Sequence, residues 1–110
     1  MFKKENRLVS GVRFNNSYSV TSFQFVLKEK KNELTVNRFG IIVSKKIDKR
    51  AVGRNKIKRL LRTTLMKLYG KMNVGHDILF IVKKGILDKT KEENMIMVEK
   101  ALEEAGIIKK

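Results

Sequence analysis

The sequence predicts an α+β fold: a single two-layer sandwich, mostly one β-sheet with helices packed on it. Three features carry this. Residues 21–30 and 38–45 alternate apolar and polar side chains, as half-buried strands do. Residues 78–82 are apolar throughout, which reads as an interior strand covered on both faces. Residues 52–69 and 91–105 repeat their apolar positions at helical spacing.

In chain order, Glu5 to Asn16 is weakly helical, with Leu8 and Val12 on one side. Tyr18 to Val20 reads as a short strand, and Thr21 to Lys30 as a longer one with Phe23, Phe25 and Leu27 pointing one way. A polar turn follows at Lys30 to Glu33, then a strand from Arg38 to Lys45. Gly40 inside that strand signals a close approach or a bulge. Val52 to Tyr69 is the clearest helix. Its Ile57, Leu60, Leu61, Leu65 and Leu68 fall within an arc of roughly 140° and form a core-facing stripe. Gly70 is its expected stop. The apolar strand Ile78 to Val82 comes next. The last helix begins at a capping box, Thr90-Lys91-Glu92-Glu93, and closes at Gly106, with Met95, Val98, Leu102 and Ala105 as its stripe. The order is α-β-β-β-α-β-α. The strand–helix–strand crossover is right-handed by default.

The 110 residues suit one domain, 1–110. Charged residues make up 34%, above the roughly 25% of ordinary soluble domains. With 26 Lys and Arg against 11 acids, the net charge is +15. So much self-repulsion in a small domain points to a polyanionic partner. The absence of Cys excludes disulfides, thiolate metal sites and a Cys nucleophile. A single His excludes two-histidine acid–base chemistry within one chain. No apolar run approaches the ~18 residues of a membrane span, and residues 1–7 lack an apolar signal core, so a cytoplasmic protein without a membrane partner is expected.

The charge is segregated. Nine of the 18 residues from Lys45 to Arg62 are basic and only Asp48 is acidic. Six of the 11 acids lie between Asp88 and Glu104. On the long helix Asn55, Lys58, Arg59 and Arg62 fall opposite the apolar stripe, and residues 49–76 contain no acid. A solvated face normally interleaves Glu; a run of cations at i, i+3, i+4 and i+7 can meet several phosphates of a nucleic-acid backbone at once. Arg suits this because its planar fork binds two phosphate oxygens together. Lys45, Lys46 and Arg54 lie near the helix N-terminus, itself favourable to anions.

The same segment carries a family resemblance. Val43-Ser44-Lys45-Lys46, then Arg54-Asn55-Lys56, Lys58-Arg59 and Arg62, resemble the ordered motifs of bacterial ribonuclease P protein subunits. Arg7-Leu8, Phe25-Val26-Leu27, Arg38-Phe39-Gly40 and Asp77-Ile78 extend the match over most of the chain. Lys56 stands where the family has Arg, and Thr63 where it often has Glu. There is one extra residue between Lys46 and Arg54, and the link from the first helix to the Phe25 strand is about four residues short.

The resemblance implies a fold like the second domain of ribosomal protein S5, with a left-handed crossover in place of the default. It implies that Lys45, Lys46, Arg54, Asn55, Lys56, Lys58, Arg59 and Arg62 bind the RNA subunit. It also implies that Phe14 and Tyr18, placed on the first helix, and Lys28 line a cleft for the 5′ leader of precursor tRNA. Unpaired bases stack on aromatic faces beside cations without needing a particular sequence.

The chain itself carries no expected catalytic or metal-binding residue, because its carboxylates are scattered and His76 stands alone beside a turn. The resemblance assigns catalysis, and the magnesium ions of the holoenzyme, to the RNA subunit. A ribosomal protein or RNA chaperone of similar fold is the rival reading. A DNA-binding helix-turn-helix protein is disfavoured, since strands rather than a second helix flank the basic helix.

Overall fold

The computed structural model describes residues 6–8, 14 and 17–109. The helix expected over Glu5 to Asn16 lies largely outside the described residues. Four strands form one sheet in the order β1-β2-β4-β3, with β1 Tyr18–Thr21, β2 Phe25–Lys31, β3 Arg38–Ile42 and β4 His76–Val82. β1 and β2 make an antiparallel hairpin, β2 pairs antiparallel with β4, and β3 runs parallel to β4. Helix α1, Ala51–Leu68, forms the crossover between the two parallel strands, and helix α2, Lys91–Glu104, follows the sheet.

The expected strand over Thr21 to Lys30 is corrected: it is broken at Ser22–Gln24. Ser22 takes the Phe25 N–H on its hydroxyl at 3.1 Å, and its own N–H donates to the Phe25 carbonyl at 2.9 Å. The chain therefore reverses there. Phe23, expected in the core, stands on the turn, 56% exposed, with the Lys89 ammonium 5.4 Å from its ring centre.

Register assigns the two faces of the sheet. Val20 lies beside Leu27, and Leu27 beside Phe80; Phe25 meets Val82, and Phe39 meets Ile78. These side chains share one face and are all buried. Leu61, Leu65 and Leu68 of α1 and Val98, Ala101 and Leu102 of α2 close over them in a single core cluster. The Phe25 and Phe80 rings meet edge to face at 5.1 Å between centres. The opposite face presents Val26, Lys28, Lys30, Leu79 and Ile81, all half-buried, and Ile42, exposed.

Both helices end close to their expected limits. At α2 the capping box is complete: the Thr90 hydroxyl takes the Glu93 N–H at 3.1 Å, and the Glu93 carboxylate takes the Thr90 N–H at 2.9 Å. Gly106, at φ 77°, adopts the left-handed conformation that ends the helix. α1 stops at Leu68, and Gly70 falls within a following 3-10 turn, Tyr69–Lys71. Gly40 is the site of a close approach: a methyl there would lie 3.1 Å from both Leu8 and Leu79 side-chain carbons. Among the described residues no helix is long and apolar enough to cross a membrane.

Candidate nucleic-acid interface

α1 turns its apolar stripe to the sheet and its cations to solvent. Asn55, Lys56, Arg59 and Arg62 are exposed and Lys58 is half-buried. Lys45 and Lys46 are exposed on a turn that closes with an Ile47 N–H to Ser44 carbonyl bond at 3.0 Å. Among the described residues none of Lys45, Lys46, Lys56, Lys58, Arg59 or Arg62 joins an ion pair. Their charge is free for a ligand.

Arg54 also has a structural part. Its Nη1 donates back to the carbonyls of Asp48 and Lys49, at 3.0 and 2.8 Å, and so ties the basic turn to the first turn of the helix. Arg50 occupies the cap position without a side-chain cap. The lone acid of the segment braces this junction. Asp48 accepts the Arg50 N–H at 2.9 Å and its guanidinium at 3.2–3.3 Å. The Arg50 side chain first, then its N–H, hold the Asp48 carboxyl below its ordinary range. Gly53 makes room: any side chain there would collide with the Asp48 carboxylate.

The sheet face opposite α1 and α2, on which Leu8 and Phe14 lie among the described residues, forms the second candidate surface. Lys28 sits there between Ser19 and Leu79, and Lys30 two residues on shares its face. The Phe14 ring lies 5.5 Å from the Lys30 ammonium, in cation–π range. Tyr18 is a correction to the expected arrangement. It begins β1 rather than lying on a helix, so the helical spacing that would put it beside Phe14 does not apply. Its register partner is Glu29, on the core side of the sheet, so strand alternation sends Tyr18 and Lys28 to opposite faces. Sequence reading named Lys28 but missed Lys30; the period-2 alternation that places one places both.

Sequence reading also missed the polar framework beneath. Asn37 is fully buried: its carboxamide donates to the Asn73 carbonyl at 3.0 Å and accepts the His76 N–H at 2.9 Å. His76 is not alone: its Nδ1 lies 2.7 Å from a Glu29 carboxylate oxygen, with both side chains largely buried. Asp77 is bound by Arg38 and by the Asn32 carboxamide, at 2.9 Å. Among the described residues no three of His, Cys, Asp and Glu gather where a metal ion could be held. Two carboxylates, Asp48 and Asp77, are already committed to arginines.

A sheet covered on one side by two helices, with an unpaired cationic helix face, defines a small α+β protein built to meet a polyanion. The chain is more closely placed by comparison: the ribonuclease P family model matches residues 2–106, and the chain belongs to that family. It is 34% identical over 109 residues to the ribonuclease P protein component of Clostridium botulinum strain 657, covering 94% of this chain and 97% of the relative. It is 38% identical over 90 residues to that of a Marinomonas strain, covering 77% and 67%. A solved mutant of the Staphylococcus aureus RNase P protein with defective mRNA degradation activity superposes with a TM-score of 0.85, at 30% identity over 96% of this chain and 92% of that one. The RNase P protein from Thermotoga maritima gives 0.64 at 30% identity, over 81% and 80%.

Proposed function

We propose that this chain works in the cytoplasm as the protein subunit of ribonuclease P, gripping the RNA subunit with the outer face of α1 and the turn before it. The carrying observation is the array Lys45, Lys46, Lys56, Lys58, Arg59 and Arg62, which stands in the motif order of the family and, among the described residues, without acidic partners. Asn55 adds a hydrogen-bonding side chain to that face, and Arg54 holds the turn against the helix. The sheet face opposite the helices takes the unpaired 5′ leader of precursor tRNA, with Phe14 offering a stacking surface and Lys28 and Lys30 offering charge. The RNA subunit performs cleavage and holds the magnesium ions. The scattered carboxylates of this chain support that division. Its contribution is to neutralise phosphate repulsion and hold the leader, which lowers the magnesium concentration the RNA needs.

The test is reconstitution with a ribonuclease P RNA and a precursor tRNA at low magnesium. Accurate 5′ cleavage that depends on adding this chain is expected. An RNA subunit that gains nothing from it, while the chain still binds RNA in general, would favour an RNA chaperone of the same fold.

A further inference from the structure

Beside the cationic face, α1 meets the segment leading into α2, and an open groove of about 510 Å³ runs between them. That volume lies within the ~300–1,000 Å³ of small-ligand sites. Its chemistry is mixed in a particular way. Lys56 and Arg59 border it from α1, and Lys89 and Lys91 from either side of the Thr90 cap of α2. Between these cations the lining is mostly aliphatic, with Leu60 and Leu87, the latter 56% exposed, beside the single hydroxyl of Thr63. Asn94 lies at the groove, only 3% exposed. Its Nδ2 donates to the Ile86 carbonyl at 3.1 Å, which fixes the carboxamide's orientation. Its Oδ1 is enclosed and, among the described residues, is the one buried side-chain polar atom without a partner.

A phosphate backbone alone needs cations and water. It has no use for an aliphatic floor between them. A base does: its flat face packs on leucine side chains or on a guanidinium plane such as that of Arg59, while its flanking phosphates meet the surrounding lysines. An unsatisfied buried acceptor costs free energy that an arriving donor recovers. Reaching Oδ1 requires the floor to part slightly, and what it then accepts is an N–H, such as a base's exocyclic amine.

From this we infer that the groove is a pocket for a single unpaired nucleotide of the RNA held on α1. The inference rests on the reading of α1 as the RNA interface, and it adds a base-binding site, some way from the sheet face, to what would otherwise be a purely ionic contact.

The experiment uses the full chain with ribonuclease P RNA. A photo-crosslinking residue is placed in two separate proteins, Leu87→p-benzoylphenylalanine and, as a reference on the cationic face, Arg62→p-benzoylphenylalanine. Both are expected to crosslink to the RNA, with the position-87 adduct on a nucleotide that is unpaired in the RNA. Crosslinking from 62 but not from 87, or a position-87 adduct within a helix or on a second copy of the protein, overturns the pocket and leaves the RNA interface standing. Silence at both positions overturns the interface as well. Two smaller substitutions guard against a perturbed fold. Leu87→Ser should weaken binding at least threefold with the salt slope unchanged, since an apolar contact releases no counterion, whereas Lys91→Ala should lower the slope by about 1. Unchanged affinity in both overturns the pocket.

Discussion

Arg38 and Asp77 face each other across adjacent parallel strands and form a two-bond ion pair, Nε to Oδ1 at 2.7 Å and Nη2 to Oδ2 at 2.6 Å. The Asp77 side chain is 1% exposed and that of Arg38 21%. Asn32 adds a third bond to the carboxylate and spans to the Val36 carbonyl, so the same cluster shapes the turn between β2 and β3. The pair thus joins the two strands that flank the α1 crossover, at the end of the sheet where β4 begins.

Burial alone would push the Asp77 carboxyl up. The Arg38 and Asn32 hydrogen bonds and nearby positive charge outweigh it, and its pKa lies below the ordinary value. A depressed folded pKa adds stability that is fully present above the unfolded value of about 3.9 and disappears as pH falls through the folded one. Urea melts should therefore show stability falling below about pH 4 in the native chain. Asp77→Ala should lose about 1–3 kcal/mol at neutral pH by removing the partner of a partly exposed Arg38, and should flatten the acid limb of that profile. An Asp77→Ala chain with an unaltered acid limb would remove this pair as its source.

Gly85 supplies a second stability test. A methyl there would lie 2.2 Å from the Phe23 carbonyl oxygen, a backbone atom that cannot swing away. Gly85→Ala should cost about 1–3 kcal/mol through overpacking. Gly70→Ala, where a methyl meets nothing within 4 Å, should be close to neutral. Equal melting temperatures for the two variants would contradict the packing at Phe23.

Much of this architecture was legible because its signals are local. The capping box at Thr90, the left-handed Gly106, the stripe of α1 and the apolar run of β4 each depend on residues within a few positions of one another. The break at Ser22 was hidden because apolar alternation runs straight through it, and only the Ser22–Phe25 bonds reverse the chain. Arg38–Asp77 and Glu29–His76 are separated by 39 and 47 positions, so no spacing rule reveals them. Tyr18 misled for a related reason: four residues bring side chains together on a helix, whereas a strand assigns faces by parity.

The ionic grip of α1 can be measured directly. Arg59 and Arg62 are exposed and lie away from the core stripe. Arg59→Ala with Arg62→Ala should weaken binding to the RNA subunit and reduce the salt slope by about 2, if each releases one counterion, while leaving the melting temperature in place. An unchanged slope would move the interface elsewhere.

Catalysis offers a sharper division. Rigorously RNA-free protein should show no cleavage of precursor tRNA at any magnesium concentration. His76→Ala should lower the melting temperature, because it leaves the largely buried Glu29 without its partner, yet the reconstituted enzyme should still cleave at the correct site. Specific 5′ cleavage by protein alone, or loss of cleavage by a folded His76→Ala holoenzyme, would place chemistry in this chain.

The leader surface makes the most discriminating prediction, because the sheet separates residues that sequence spacing had joined. Phe14 lies against Lys30, and Lys28 shares that face of the strand, opposite the helices. Tyr18 projects from β1 toward the opposite side, 51% exposed. Stacking of a base on an aromatic ring contributes roughly 1–3 kcal/mol by alanine substitution. Phe14→Ala should therefore weaken binding of precursor tRNA carrying a leader of several nucleotides by about tenfold, and barely change binding of mature tRNA. Lys28→Ala with Lys30→Ala should act in the same direction and lower the salt slope. Tyr18→Ala should leave both tRNAs bound as before. Thermal melts accompany each variant, because Phe14 also packs against the protein. Equal losses for both tRNAs would assign Phe14 to packing. A leader-specific loss in Tyr18→Ala would instead carry the leader around the β1 edge to the helix side of the sheet.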